Sequence, residues 1–294
     1  MLDGAMLVWF VLAAASVIFV VWDSIANAPT SWVQRAAWIL VVVYTGVVGL
    51  VLYLLTCRRP YPGAHDAFTR DTWKQSVNSE MHCVAGGATG IVIAAAVVPA
   101  LGLPNGWDAT IEYVAGFICG LFIFQALMML GMYQGDYLKA VRKTFFAETV
   151  SMNMVMAGMI PTMVVLTTVW PESEDPTGAA FWFRMGLATI VGGVMAYPVN
   201  YWLVKNHLKH GCMTLPGRDG PAPYLGHCSP EGFSATATKT AVSVTDHQVR
   251  EGHEGHGMKM RTLALPVASA WVGRTFALLL LAIFVTDRFV PLKF

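Results

Sequence analysis

The sequence predicts an all-α fold: a polytopic membrane bundle of seven transmembrane helices. Three observations predict it. Of the 294 residues, 55% are apolar and 13% charged, with a formal net charge of +1, whereas a soluble domain carries about a quarter charged residues. The apolar residues stand in long blocks bounded by Pro, Gly and charge, and each block approaches the roughly 20 residues a helix needs to cross hydrocarbon. The blocks are apolar on every face, which suits helices rather than the alternating strands of a barrel. The same composition excludes a disordered chain and a basic nucleic-acid binder.

The seven windows cover residues 5–22, 36–55, 81–101, 111–132, 149–170, 183–202 and 265–285. The first is followed by Ala26-Asn27-Ala28, which resembles a cleavage site. Only Asp3 is charged in the segment before it, so the basic region of a signal peptide is missing and an uncleaved helix is expected. Orientation follows the basic residues. Arg58, Arg59, Arg70 and Lys74 fill the second connection, and Lys139, Arg142 and Lys143 the fourth. Lys205, Lys209, Arg218, Lys239, Arg250, Lys259 and Arg261 fill the sixth. These three connections are expected in the cytoplasm of a bacterial cell, beneath its inner membrane. Asp108, Glu112, Glu172, Glu174 and Asp175 mark the opposite side. The N-terminus is then expected to be cytoplasmic and the C-terminus external. Cys57, Cys83, Cys212 and Cys228 fall on the reducing side, where thiols stay free or bind metal.

The chain divides into two N-terminal helices with their loop (1–71), a four-helix core (72–213), a His/Gly-rich cytoplasmic loop (214–262) and a last helix (263–294). Polar residues gather at the cytoplasmic ends of the core helices. Glu80-Met81-His82-Cys83 opens the third span, Gln134 and Asp136 follow the fourth, and Glu148-Thr149-Val150-Ser151 opens the fifth. Tyr197-Pro198-Val199-Asn200 closes the sixth, before His207, His210 and Cys212. Ionisable groups at membrane depth are costly and point into the bundle, so their common depth predicts a shared polar pocket.

Three strings in this core carry a resemblance: His82-Cys83 followed by Gly86, Gly87 and Gly90; Ala147-Glu148-Thr149-x-Ser151; and Tyr197-Pro198-Val199-Asn200-x-Trp202-Leu203. Residues 72–213 are similar to a bacterial and archaeal membrane family catalogued as a domain of unknown function. The resemblance implies a helical membrane core and no particular reaction. It also implies a second cysteine soon after the first, where this chain has Val84-Ala85-Gly86-Gly87.

Sulfur and imidazole supply the functional signal. The chain has 16 methionines, and Met152, Met156, Met159 and Met163 share one helical face. Thioethers suit Cu(I) and equally fill irregular packing gaps. The sixth connection holds His207-x-x-His210-x-Cys212, His227-Cys228 and His253-x-x-His256-x-Met258-x-Met260, spacings open both to copper or zinc ligation and to a flexible His-rich loop. The candidate metal set is His82, Cys83, Asp136, Glu148, Met152, Met156, His207, His210 and Cys212. Arg274, about 13 Å into the last helix at 1.5 Å per residue, is expected to face the bundle and meet Asp23, Asp136 or Glu148. Gly86-x-x-x-Gly90 and Gly116-x-x-x-Gly120 should let helices approach closely, and Pro161 and Pro198 should bend theirs.

No lysine lies within the last span for a retinal Schiff base, no pair of histidines stands at membrane depth for haem, and no nucleotide-binding or hydrolase motif occurs. The expectation is an integral membrane protein, not an enzyme of familiar type, that binds or transports a soft transition-metal ion such as copper. Two alternatives are a non-catalytic subunit of a larger membrane complex and a membrane metalloenzyme using His82, Asp136 and Glu148. The bilayer, partner membrane subunits or a second copy of the chain are the expected partners.

Overall fold

The computed structural model describes residues 2–102, 105–211 and 261–291, and every regular element among them is helical. Among these residues six helical runs are long and apolar enough to cross a membrane. They are α1 (Leu2–Ala26), α5 (Thr72–Val97), a composite run Trp107–Met129, α8 (Tyr137–Val169), α9 (Ala179–Lys205) and α10 (Leu265–Phe289). The chain is an α-helical, multi-pass membrane protein.

The second predicted window departs from expectation. It forms α2 (Trp32–Thr45) and α3 (Val47–Thr56), broken at Gly46, whose φ of 57° and ψ of −128° suit only glycine. The two helices fold back on each other. Trp38 and Tyr53 meet edge to face at 5.6 Å, although 15 residues of continuous helix would hold them about 22 Å apart. Close packing demands glycine again at Gly49, where a Cβ would lie 3.0 Å from the Val42 Cα. Asn78 of α5 clamps both arms, accepting from the Trp38 indole at 3.2 Å and donating to the Thr56 carbonyl at 2.8 Å. At the open end, buried Asp23 accepts from Tyr53 (2.8 Å), Arg58 (3.0 Å) and Asn27 (2.7 Å). This joins the Ala26 end of α1 to the Thr56 end of α3. The tip at Gly46 lies beside Trp9 near the other end of α1. Hydropathy windows cannot see such a hairpin, because the turn glycine is itself within the apolar run.

After the short α4 (His65–Thr69), α5 runs through the centre of the bundle, with α2, α9 and the composite helix around it. The composite helix is α6 (Asn105–Ile118), a π-helical stretch (Cys119–Gln125) and α7 (Ala126–Met129). Its glycines mesh with those of α5. A Cβ on Gly86 would lie 2.6 Å from the Gly120 Cα, and one on Gly90 2.3 Å from the Ala115 carbonyl oxygen. Asp136 caps α8 by accepting from the Lys139 amide at 2.9 Å. Pro161 and Pro198 sit within α8 and α9, which continue past them.

α10 packs on α8 and leaves most of its surface outward. Arg274 does not enter the bundle as expected. It is exposed, with its guanidinium 5.7 Å from the Trp271 ring, which in turn lies 4.1 Å from Trp202. Helical side chains lean toward the N-terminus, so the arginine stem runs back one turn over the indole and carries the charge toward the helix end.

Candidate functional site

Four segments converge on one buried polar line. α5 supplies Glu80, His82 and Cys83, α8 supplies Glu148 and Ser151, and α9 supplies Asn200. The fourth is the segment after α9, which supplies Lys209. His207 adopts φ 58°, the Leu208 amide returns to the Leu203 carbonyl at 2.9 Å, and the chain folds back so that Lys209 is only 2% exposed. Gly211 then passes so close to Gln75 that a Cβ would lie 2.3 Å from its carbonyl oxygen.

The bonds form a continuous sequence. The Cys83 thiol donates to Glu148 Oε2 at 2.7 Å, and Lys209 Nζ donates to Cys83 Sγ at 2.7 Å and to Asn200 Oδ1 at 2.7 Å. Asn200 Nδ2 donates to Ser151 Oγ at 2.8 Å. Burying Glu148 and Lys209 costs several kcal/mol per ion in general, and here the thiol lies between their opposite charges. Glu80 is buried nearby, 3.6 Å from where a Gly193 Cβ would stand, and within the field of Lys209. Glu148 Oε1 and both ring nitrogens of His82 are buried without hydrogen-bond partners, and such groups call for water, an ion or a proton.

The π-helical stretch positions the carboxylate. A Cβ on Gly120 would lie 2.3 Å from Glu148 Oε1, so that glycine leaves room for the unbonded oxygen. π-Turns are rare and often lie at functional sites.

The structure treats the expected metal ligands unequally. His82, Cys83, Glu148 and Met152 are all buried inside the bundle. Met152 Sδ packs 3.2 Å from where a Gly87 Cβ would be, one turn along both helices from the Cys83–Glu148 contact. Met156 belongs with Met159, Met163, Met185, Phe181 and Ile91 in the apolar core. Asp136 is an exposed helix cap 12 residues before Glu148, about 18 Å along the helix at 1.5 Å per residue. His207 is exposed and His210 half-buried beside it. Cys212, His227, Cys228, His253, His256, Met258 and Met260 lie outside the described residues. Among the described residues no three His, Cys, Asp or Glu side chains group as a metal cage.

Sequence reasoning missed Lys209. Four residues past a span, among other basic residues, it reads as an interfacial charge, and only the turn at a non-glycine residue sends it inward.

A second polar group lies toward the other end of the bundle. Arg184 of α9 donates to Thr167 and sits in the field of Glu112 of α6 and Glu174. Between the two groups Tyr113 donates to Asn153 Oδ1 at 2.7 Å, and Asn153 Nδ2 donates to Thr275 at 3.1 Å.

Burial, with the neighbouring His207 charge, depresses the His210 pKa from 6.5 to about 4. A neutral folded histidine that charges more readily when released makes docking weaken as pH falls. Docking of the 206–211 segment should therefore be complete above pH 6.5 and weaken progressively between 6.5 and about 4. Hydrogen exchange at the Leu208 amide, corrected for its intrinsic pH dependence, should accelerate over that interval. In His210→Gln it should stay flat.

No curated protein and no solved structure matches the chain. Residues 72–209, which include every member of the Glu148–Cys83–Lys209 line and end on Lys209 itself, match the model of the family described as Domain of unknown function (DUF4396).

Proposed function

We propose that the chain is a proton-conducting membrane protein in which Glu148, Cys83 and Lys209 form the relay. One observation carries the reading: a buried thiol lies 2.7 Å from an ammonium on one side and 2.7 Å from a carboxylate on the other. The ammonium behind the sulfur stabilises a thiolate, so the thiol proton can pass to Glu148 and return. Ionisable groups inside membrane bundles commonly serve ion and proton pathways. Asn153, Tyr113 and the Glu112–Arg184 pair extend polar groups from this line toward the opposite end.

Orientation belongs to the same reading. Arg58, Arg59, Arg70, Lys139, Arg142 and Lys143 put the α5 N-terminal face in the cytoplasm. The α2–α3 hairpin enters and leaves by that face, which leaves six crossings instead of seven. Both the Leu2 end of α1 and the Phe289 end of α10 are then external, in place of the cytoplasmic N-terminus expected from the sequence. A bacterial inner membrane fits this charge distribution.

The test is flux in proteoliposomes carrying an internal pH dye, with a potassium diffusion potential as driving force and the protein kept reduced. Wild-type protein should acidify or alkalinise the lumen according to the sign of the potential. Glu148→Gln and Glu112→Gln should lower the rate at least tenfold while remaining folded. Wild-type rates equal to those of empty vesicles would sink the relay and leave the structural-subunit reading.

Copper-class binding keeps one observation in its favour: the Met152 thioether lies one helical turn from the Cys83 thiol, and both are soft donors. Here Cys83, Glu148 and Met152 would hold the ion in place of the Lys209 ammonium. Stoichiometric copper in purified wild-type protein, lost in Cys83→Ser combined with Met152→Leu, would support it.

A further inference from the structure

The contact between Lys209 and Cys83 joins a primary amine to a thiol more tightly than two other donor contacts to sulfur among the described residues. Nζ lies 2.7 Å from Sγ, against 3.9 Å from Gln34 Nε2 to Cys57 Sγ and 3.6 Å from Ser31 Oγ to Met128 Sδ. At that separation a single bridging atom fits between nitrogen and sulfur. The amine is held in place, because Asn200 Oδ1 accepts from it and Asn200 is itself bonded to Ser151. Glu148 Oε2 stands ready on the far side of the sulfur as a proton acceptor. Ala147, Leu203 and Leu208 form an apolar cluster beside these groups. Such surroundings slow hydrolysis of sulfur oxidation products and admit dioxygen, which dissolves well in apolar media.

We propose that Cys83 and Lys209 are a modification site that dioxygen closes into a covalent bridge, Cys83 Sγ–O–Nζ Lys209. The thiol, the ammonium, the Glu148 carboxylate and one dioxygen give the bridge, one water and a protonated Glu148. The S–H bond and two N–H bonds break, while S–O and O–N bonds form. Four electrons pass from sulfur and nitrogen to dioxygen, whose second oxygen leaves as water with two of the protons. The remaining proton goes to the carboxylate. Two equivalents of a dithiol reverse the step, restoring thiol and amine and releasing the bridging oxygen as water. The bridge ties the 206–211 segment to α5 and removes both thiol and amine from the line, so the oxidised protein is held in one state.

The experiment is peptide mass spectrometry on the full chain purified in detergent, prepared in parallel under air and under anaerobic dithiothreitol. The aerobic sample should contain a linked pair of peptides carrying Cys83 and Lys209. Its mass should exceed their sum by one oxygen less two hydrogens. Dithiothreitol should dissolve the pair and return an alkylatable Cys83. Cys83→Ser and Lys209→Arg should each abolish it, but the wild-type comparison alone is decisive if either variant fails to fold. An aerobic sample with Cys83 wholly as thiol, or as sulfenic or sulfinic acid with an unmodified Lys209, would overturn the proposal. Because flux is measured on reduced protein, that outcome leaves the relay untouched, and a silent relay leaves the bridge untouched.

Discussion

Lys209→Met should lower the stability of the bundle by about 3–5 kcal/mol, the usual cost of stripping one partner from a buried ionic group. The variant leaves the Glu148 carboxylate buried without its counter-charge, removes the donor to Cys83 Sγ, and deprives Asn200 Oδ1 of the ammonium that donates to it. A thermal melt in detergent reads this as a large fall in Tm. Adding Glu148→Gln should restore much of the loss, because the amide needs no counter-charge. A Lys209→Met protein that melts like wild type would mean that the ammonium contributes nothing from within the core.

Gly90→Leu should be the most damaging apolar substitution at the contact between α5 and the composite helix. Its first carbon would meet the Ala115 carbonyl oxygen at 2.3 Å, the Ala115 carbonyl carbon at 2.6 Å and the Gly116 amide nitrogen at 2.7 Å. All three are backbone atoms and cannot rotate aside, so α6 must retreat from α5. Overpacking commonly costs about 1–3 kcal/mol, and a full leucine here should reach or exceed the upper figure. Gly87→Ala is the informative contrast. The new methyl would meet only the Met152 side chain, at 3.2 Å, and a thioether can yield. It should melt within a few degrees of wild type, and equal damage from the two substitutions would contradict the packing described.

What the sequence discloses about this fold is what depends on composition over about 20 residues. α1, α5, α8, α9, α10 and the run 107–129 each contain a stretch of 18 residues with high mean hydropathy and at most two charged residues. The hairpin depends on one φ angle at Gly46, and no window average contains it. The polar line divides the same way. Glu148 and Cys83 are visible because charge or thiol at membrane depth is unusual, and Ser151 and Asn200 lie at matching depth. Asp136 falls at the same end of the bundle in a hydropathy plot, yet it stands outside as the N-terminal cap of α8. Lys209 reaches the core through a turn at His207, whose φ of 58° is uncommon for any non-glycine residue and invisible to hydropathy. Arg274 shows the converse: depth along the helix suggests burial, but direction around the helix axis decides.

The π-helical stretch also bears on how the protein sits among lipids. A wider coil with bonds closing one residue later advances less per residue than an ordinary α-helix, so the 23 residues from Trp107 to Met129 reach less far than their number suggests. Such a rod best matches a thin slab of hydrocarbon, and a thicker bilayer must dimple around it at a cost of fractions of a kcal/mol per Å. Tilting would only shorten its span further, and glycines of this same rod lock it against α5. The lipid thickness the bundle tolerates is therefore coupled to the geometry around Glu148.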